Sequence, residues 1–210
     1  MISSTESKDK SNPVQATLEW IADVGINGLG ILPSAEQVAE KYLSESGSVN
    51  DAINSLIAWR TTHAVGSGFI TGLGGIAAMP ITIPAGLAAS YALGANTAAA
   101  VAYLRGYNIH SEQVRTIVLL CLIGEAGEEI LKTAGIAIGT KVCQNLIKRI
   151  PSKVLIEINK KIGFRLITKA GEKGVINLVK MLPLVGGVIG GAFDGIFVNS
   201  CGKTAKTVFT

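Results

Sequence analysis

Apolar and polar positions follow a helical period through most of the chain, and strand-like alternation is rare. Residues 13–25, PVQATLEWIADVG, open with proline after Asn12 and place Val14, Leu18 and Ile21 on one face. After the loop NGLGILP, Ser34 and Gln37 fit a capping box for a helix with Ala35, Val38 and Tyr42 inward. Ser48 opens SVNDAINSLIAWRTTHA, whose inner face is Val49, Ile53, Leu56 and Ile57. Ser111 predicts the cap of one long helix running to Gly135. Its centre, IVLLCLIG, is apolar all round, which implies burial on every side, and is too short to span a bilayer. A stripe of Ile136, Gly139, Val142, Cys143, Leu146, Ile147 and Ile150 ends at Pro151. Ser152 then begins a helix with Val154, Leu155 and Ile158 inward and Lys153, Glu157, Lys160 and Lys161 outward. The pattern predicts an all-α, multi-helix bundle.

Two segments depart from this amphipathic regime. From Thr61 to Leu104 there is no charged side chain apart from any protonated His63. The length suffices for two spans of about 20 residues, and Pro80 and Pro84 predict a break at MPITIP, hence an apolar hairpin over residues 61–104. Ala and Gly outnumber Leu and Ile, and Gly68 with Gly72 forms GxxxG, so the hairpin suits either lipid or a tightly packed core. The second segment is LPLVGGVIGGAFDGIFV, where Gly187, Gly191 and Gly195 recur every four residues as a glycine-zipper face over 184–198. Asp194 is the lone charge in that run, expensive unless it is paired or lies at a polar seam. That run does not itself end in Gly-Lys-Ser/Thr, and neither a preceding strand nor a fitting spacing is present, which argues against a phosphate-binding loop.

Charge distribution adds direction. Residues 1–60 carry four basic and eight acidic residues, whereas residues 136–210 carry twelve basic and three acidic ones. The basic amphipathic region 136–183 supplies six candidate contacts for anionic lipid or an acidic partner: Lys153, Lys160, Lys161, Arg165, Lys169 and Lys173. The alternative is that these cations solvate a bundle surface or form an internal network with Glu172 and Asp194. Apolar residues make up 48% of the chain and charged ones 16%, with a mean hydropathy of +0.43. At 5%, aromatics are too few for a base-stacking binder, so no nucleic-acid partner is expected. The polar residues 1–12 read as a disordered lead-in to a single domain over 13–210.

Catalytic chemistry has little to work with. His63 and His110 are the only histidines, and no Ser or Cys sits in a recognisable nucleophile setting. Glu125, Glu128 and Glu129 read as surface carboxylates, with Glu128 and Lys132 spaced as an i,i+4 pair. Cys121, Cys143 and Cys201 form no CxxC and read as buried free thiols. No catalytic, metal or cofactor site is expected.

The segment IGFRLITKAGEKGVINLVKMLPLVGGVIGGAFDG, residues 162–195, resembles the EcsC family, bacterial proteins named after a gene linked to an ABC-transporter operon. ITGLGGIAAMPITIPAGLA and AYLRGYNIHSEQVRTIVLLCLIG add to the likeness, which extends over roughly residues 15–206. The resemblance implies a helical, membrane-associated protein without an agreed active site. The expectation is therefore a non-enzymatic accessory or scaffold at the cytoplasmic membrane face, linked to transport or secretion. Its expected partners are anionic lipids, an ABC transporter or other membrane protein, and a second copy of the chain. The alternative is a soluble cytoplasmic bundle that binds a lipid or other apolar ligand.

Overall fold

In the computed structural model, residues 13–63, 85–136, 143–168 and 188–210 are described. The expected disordered lead-in, the first arm and turn of the hairpin with Gly68 and Gly72, and Gly187, Lys169 and Lys173 lie outside these residues. Among the described residues there are nine α-helices: α1 (Pro13–Asn27), α2 (Ala35–Ser44), α3 (Val49–His63), α4 (Ala85–Leu104), α5 (Glu112–Cys121), α6 (Glu125–Thr133), α7 (Cys143–Lys148), α8 (Ser152–Gly163) and α9 (Val188–Val208). A π turn, Phe164–Thr168, extends α8. The described residues contain no strand, only an isolated bridge between Leu29 and Leu32.

The local signals act where the chain chemistry puts them. Ser34 accepts from the Gln37 amide at 3.2 Å while the Gln37 side chain returns to the Ser34 amide at 3.0 Å, completing the capping box of α2. Ser111 accepts from the Val114 amide and starts α5. The single helix expected from Ser111 to Gly135 is instead two. Gly124 takes φ 56° and ψ −134°, a conformation open to glycine, and the chain turns there from α5 into α6. Glu128 and Lys132 form no ion pair across α6.

Helix α4 organises the bundle. It begins directly after Pro84, and every residue from Ala88 to Ala102 is buried. α1, α2, α3, α5 and α9 all pack against it. Its 19-residue stretch Gly86–Leu104 is long and apolar enough to cross a membrane, yet 89% of the apolar window is buried inside the bundle. Alanine explains this: it favours helix and offers no bulk, so neighbours can close in on all sides.

Among the described residues, close approach is made by Gly25, Gly94 and Gly202. A Cβ on Gly25 of α1 would lie 2.5 Å from the Ala95 Cβ and 3.0 Å from the Ala95 carbonyl carbon on α4. One on Gly94 would meet Phe197, Cys201 and Leu122 at 2.9–3.0 Å, where α4 meets α9 and α5. Gly202 of α9 faces Ile57 of α3 in the same way. Gly195 is buried in α9; Gly191 belongs to the same helix, but its surroundings lie outside the described residues.

One polar cluster is locked into this core. Asn96 of α4 is fully buried and donates to the carbonyls of Gly25 at 2.8 Å and Pro33 at 3.0 Å. It thereby satisfies an orphan carbonyl in the last turn of α1. Its own Oδ1 accepts from the Arg60 Nη2 at 2.8 Å. Arg60 is 8% exposed, and among the described residues it has no carboxylate partner. Burial lowers its pKa, and the neighbouring Tyr42 acts in the opposite sense.

Candidate functional site

The charged outer face of α8 is fixed by its apolar inner one. Leu155, Ile158, Ile162 and Leu166 are buried, and α8 packs on α5 and α1. Gly163 lets its end press onto Val14 of α1. The π turn places Leu166 so that its carbonyl accepts from the buried Tyr91 hydroxyl of α4 at 3.1 Å. Burial holds the Tyr91 hydroxyl far above its ordinary pKa, so it stays a neutral donor.

Lys153, Lys160, Lys161 and Arg165 are all exposed on the opposite side. Two large apolar residues stand among them, Ile156 at 55% and Phe164 at 59% exposure. Beside this face runs a groove of about 500 Å³ between α6 and the end of α8. One wall is Lys160, Lys161, Phe164 and Arg165; the other is Glu129, Ile130 and Thr133 of α6. Three of the six cations singled out in the sequence thus meet in one concavity, while Lys153 lies about two turns away on the outer face. The α6 wall escapes a sequence reading because tertiary packing sets α6 beside α8, with both helices resting on α5. The remaining signal was the i,i+4 spacing of Glu129 and Thr133 beside Ile130.

A second polar seam joins α4 to α9. The Ser90 hydroxyl lies 2.5 Å from Asp194 Oδ1 and 3.1 Å from the Gly86 carbonyl. One hydroxyl proton cannot serve both acceptors fully, whereas a protonated Asp194 could donate to Ser90 and free Ser90 to donate to Gly86. Partial burial raises the Asp194 pKa, and the Ser90 hydrogen bond only partly opposes that. Among the described residues, Asp194 therefore pairs with a hydroxyl and with no basic side chain. A raised folded-state pKa contributes stability that is present below the ordinary carboxylate value near 4 and is lost as pH rises through the raised value. Asp194→Asn, whose amide can donate to Ser90 at any pH, should melt higher than the wild type at pH 7. Thermal melts from pH 4 to 8 should show that advantage shrinking toward pH 4. A lower melting point for the Asn protein at pH 7 would contradict this reading of the seam.

Surface pairs also tie the bundle: Arg115 to Asp23 at 2.6 Å, His110 to Glu36 at 3.3 Å and Tyr103 to Glu40 at 3.1 Å. Cys121 and Cys201 are buried free thiols with pKa values raised by burial. Among the described residues, no three His, Cys, Asp or Glu side chains gather as a metal site.

Comparison with curated proteins and with solved structures gives no match. The family model described as the EcsC protein family matches residues 8–210, nearly the whole chain including every helix described above, and the chain belongs to the EcsC protein family.

Proposed function

We propose that the protein is a non-enzymatic, membrane-associated accessory factor that docks on anionic lipid at the cytoplasmic face through the outer side of α8 and its π turn. The observation that carries this reading is the mixture on one exposed face. Lys153, Lys160, Lys161 and Arg165 would meet phosphate headgroups while Ile156 and Phe164 enter the interface. A face that served only for solvation would not need two large, exposed apolar side chains among its cations. The burial of α4 favours peripheral docking over insertion of residues 85–104. Linkage to a transporter or secretion machinery follows the same logic, with the docked bundle as a scaffold beside a membrane partner.

Each cation near an anionic surface contributes about 1 kcal/mol, so three together contribute about 3 kcal/mol, on the order of a hundredfold in binding. The wild type should co-sediment with vesicles rich in phosphatidylglycerol and much less with phosphatidylcholine vesicles at low salt. The variant Lys160→Gln, Lys161→Gln, Arg165→Gln should lose most of that preference, and raising salt should weaken the wild type in parallel. Equal binding to both vesicle types would overturn docking by charge. Tight, salt-independent binding by both proteins would point to an inserted anchor elsewhere. No binding at all would favour a soluble bundle that takes an apolar ligand.

A further inference from the structure

We propose that the groove between α6 and the end of α8 seats the head of one phospholipid that carries hydrogen-bond donors beyond its phosphate. The choice of a lipid as occupant rests on the docking reading above, because the groove adjoins the face with Ile156 and Phe164. The rest of the argument is local.

Lys160, Lys161 and Arg165 stand on one wall and Glu129 on the other, and no ion pair joins them. A phosphodiester against the three cations is held by charge-assisted hydrogen bonds, with arginine offering a planar fork. Glu129 opposes an anion, so the part of the head that faces α6 must be a donor. Glycerol hydroxyls or a primary ammonium satisfy this carboxylate; a choline group, with its methylated nitrogen, does not. Ile130 is buried at the groove and Phe164 is exposed beside it, which gives the first carbons of the acyl region an apolar path out. A volume of about 500 Å³ lies within the range of small-ligand sites. A free phosphate would use only the cationic wall.

The test uses the full chain and short-chain lipids kept monomeric, below their micelle concentration, followed by calorimetric titration. Dihexanoyl phosphatidylglycerol should bind saturably at one per chain. Dihexanoyl phosphatidylcholine should bind about tenfold more weakly or worse, since it leaves Glu129 without a partner. Inorganic phosphate should not saturate over the same range. Lys161→Gln should weaken the phosphatidylglycerol titration about tenfold. Thr133→Phe, at an exposed position on α6, should fill the groove and abolish monomer binding while leaving sedimentation with anionic vesicles unchanged. Equal affinity for the two lipids, phosphate binding as tight as lipid, or an unaffected Thr133→Phe protein would each overturn the assignment. Monomer binding without vesicle binding would uphold the groove and overturn docking. Vesicle binding without monomer binding would uphold docking and overturn the groove.

Discussion

Replacing Asn96 with leucine should lower the unfolding free energy by about 3–5 kcal/mol, the range found when one partner of a buried charged interaction is removed. Three hydrogen bonds disappear together: those to the carbonyls of Gly25 and Pro33, and the one from Arg60. Two carbonyls and a cation are then left dry, each at a penalty of about 1–3 kcal/mol if it finds no substitute. At roughly 2–4 °C per kcal/mol for a chain of this size, the melting point should fall by about 6–20 °C. Urea unfolding is the cleaner measurement, because an unchanged slope would show that only stability has moved. The same substitution in an Arg60→Met background should cost less, since no cation is stranded. A coupling below about 0.5 kcal/mol would mean that Asn96 does not hold Arg60 in solution.

Gly25→Val should be similarly damaging for a steric reason. The new Cβ falls 2.5 Å from the Ala95 Cβ, 3.0 Å from its carbonyl carbon and 3.1 Å from the Asn96 amide nitrogen. Two of those neighbours are backbone of the central helix and cannot swing aside. α1 must therefore retreat from α4, which also lengthens the hydrogen bond from Asn96 to the Gly25 carbonyl. The loss should be about 3 kcal/mol, at the upper end of ordinary overpacking. Gly25→Val and Asn96→Leu should combine to much less than their sum, because either one opens the same seam. A valine protein within 0.5 kcal/mol of the wild type would show that α1 has room the structure does not give it.

Local chemistry made much of the fold readable. Capping residues announced the starts of α2 and α5, Pro151 separated α7 from α8, and an Ala-rich stretch without charge marked the helix that five others surround. The break at Gly124 was hidden because apolar residues continue through Leu122 and Ile123, and a glycine inside a helical pattern is ambiguous without its dihedral angles. Arg60 had a signal that composition obscures. It stands three and four residues beyond Ile57 and Leu56, on the inward stripe of α3, where a cation requires a buried acceptor. The identity of that acceptor, Asn96, is a matter of packing over 36 positions of chain. The candidate site divides in the same way. Its cations were legible as a run of charge on α8, whereas Glu129, Ile130 and Thr133 became part of it only when α5 carried α6 alongside.

The enclosure of α4 also bears on how the chain must be made. Its last major neighbour, α9, lies about eighty residues further along, beyond the stretch from Arg105 to Gly187. Synthesis at about 5–20 residues per second leaves roughly 4–16 s between the emergence of one helix and that of the other. During that interval an apolar segment, long enough to cross a membrane, has at most part of its circumference covered. The contacts that bury it are distant in sequence, so closing them is slow compared with forming the helix itself. A ribosome-bound chain of this design therefore presents insertion machinery and chaperones with a span-like helix that the finished protein conceals.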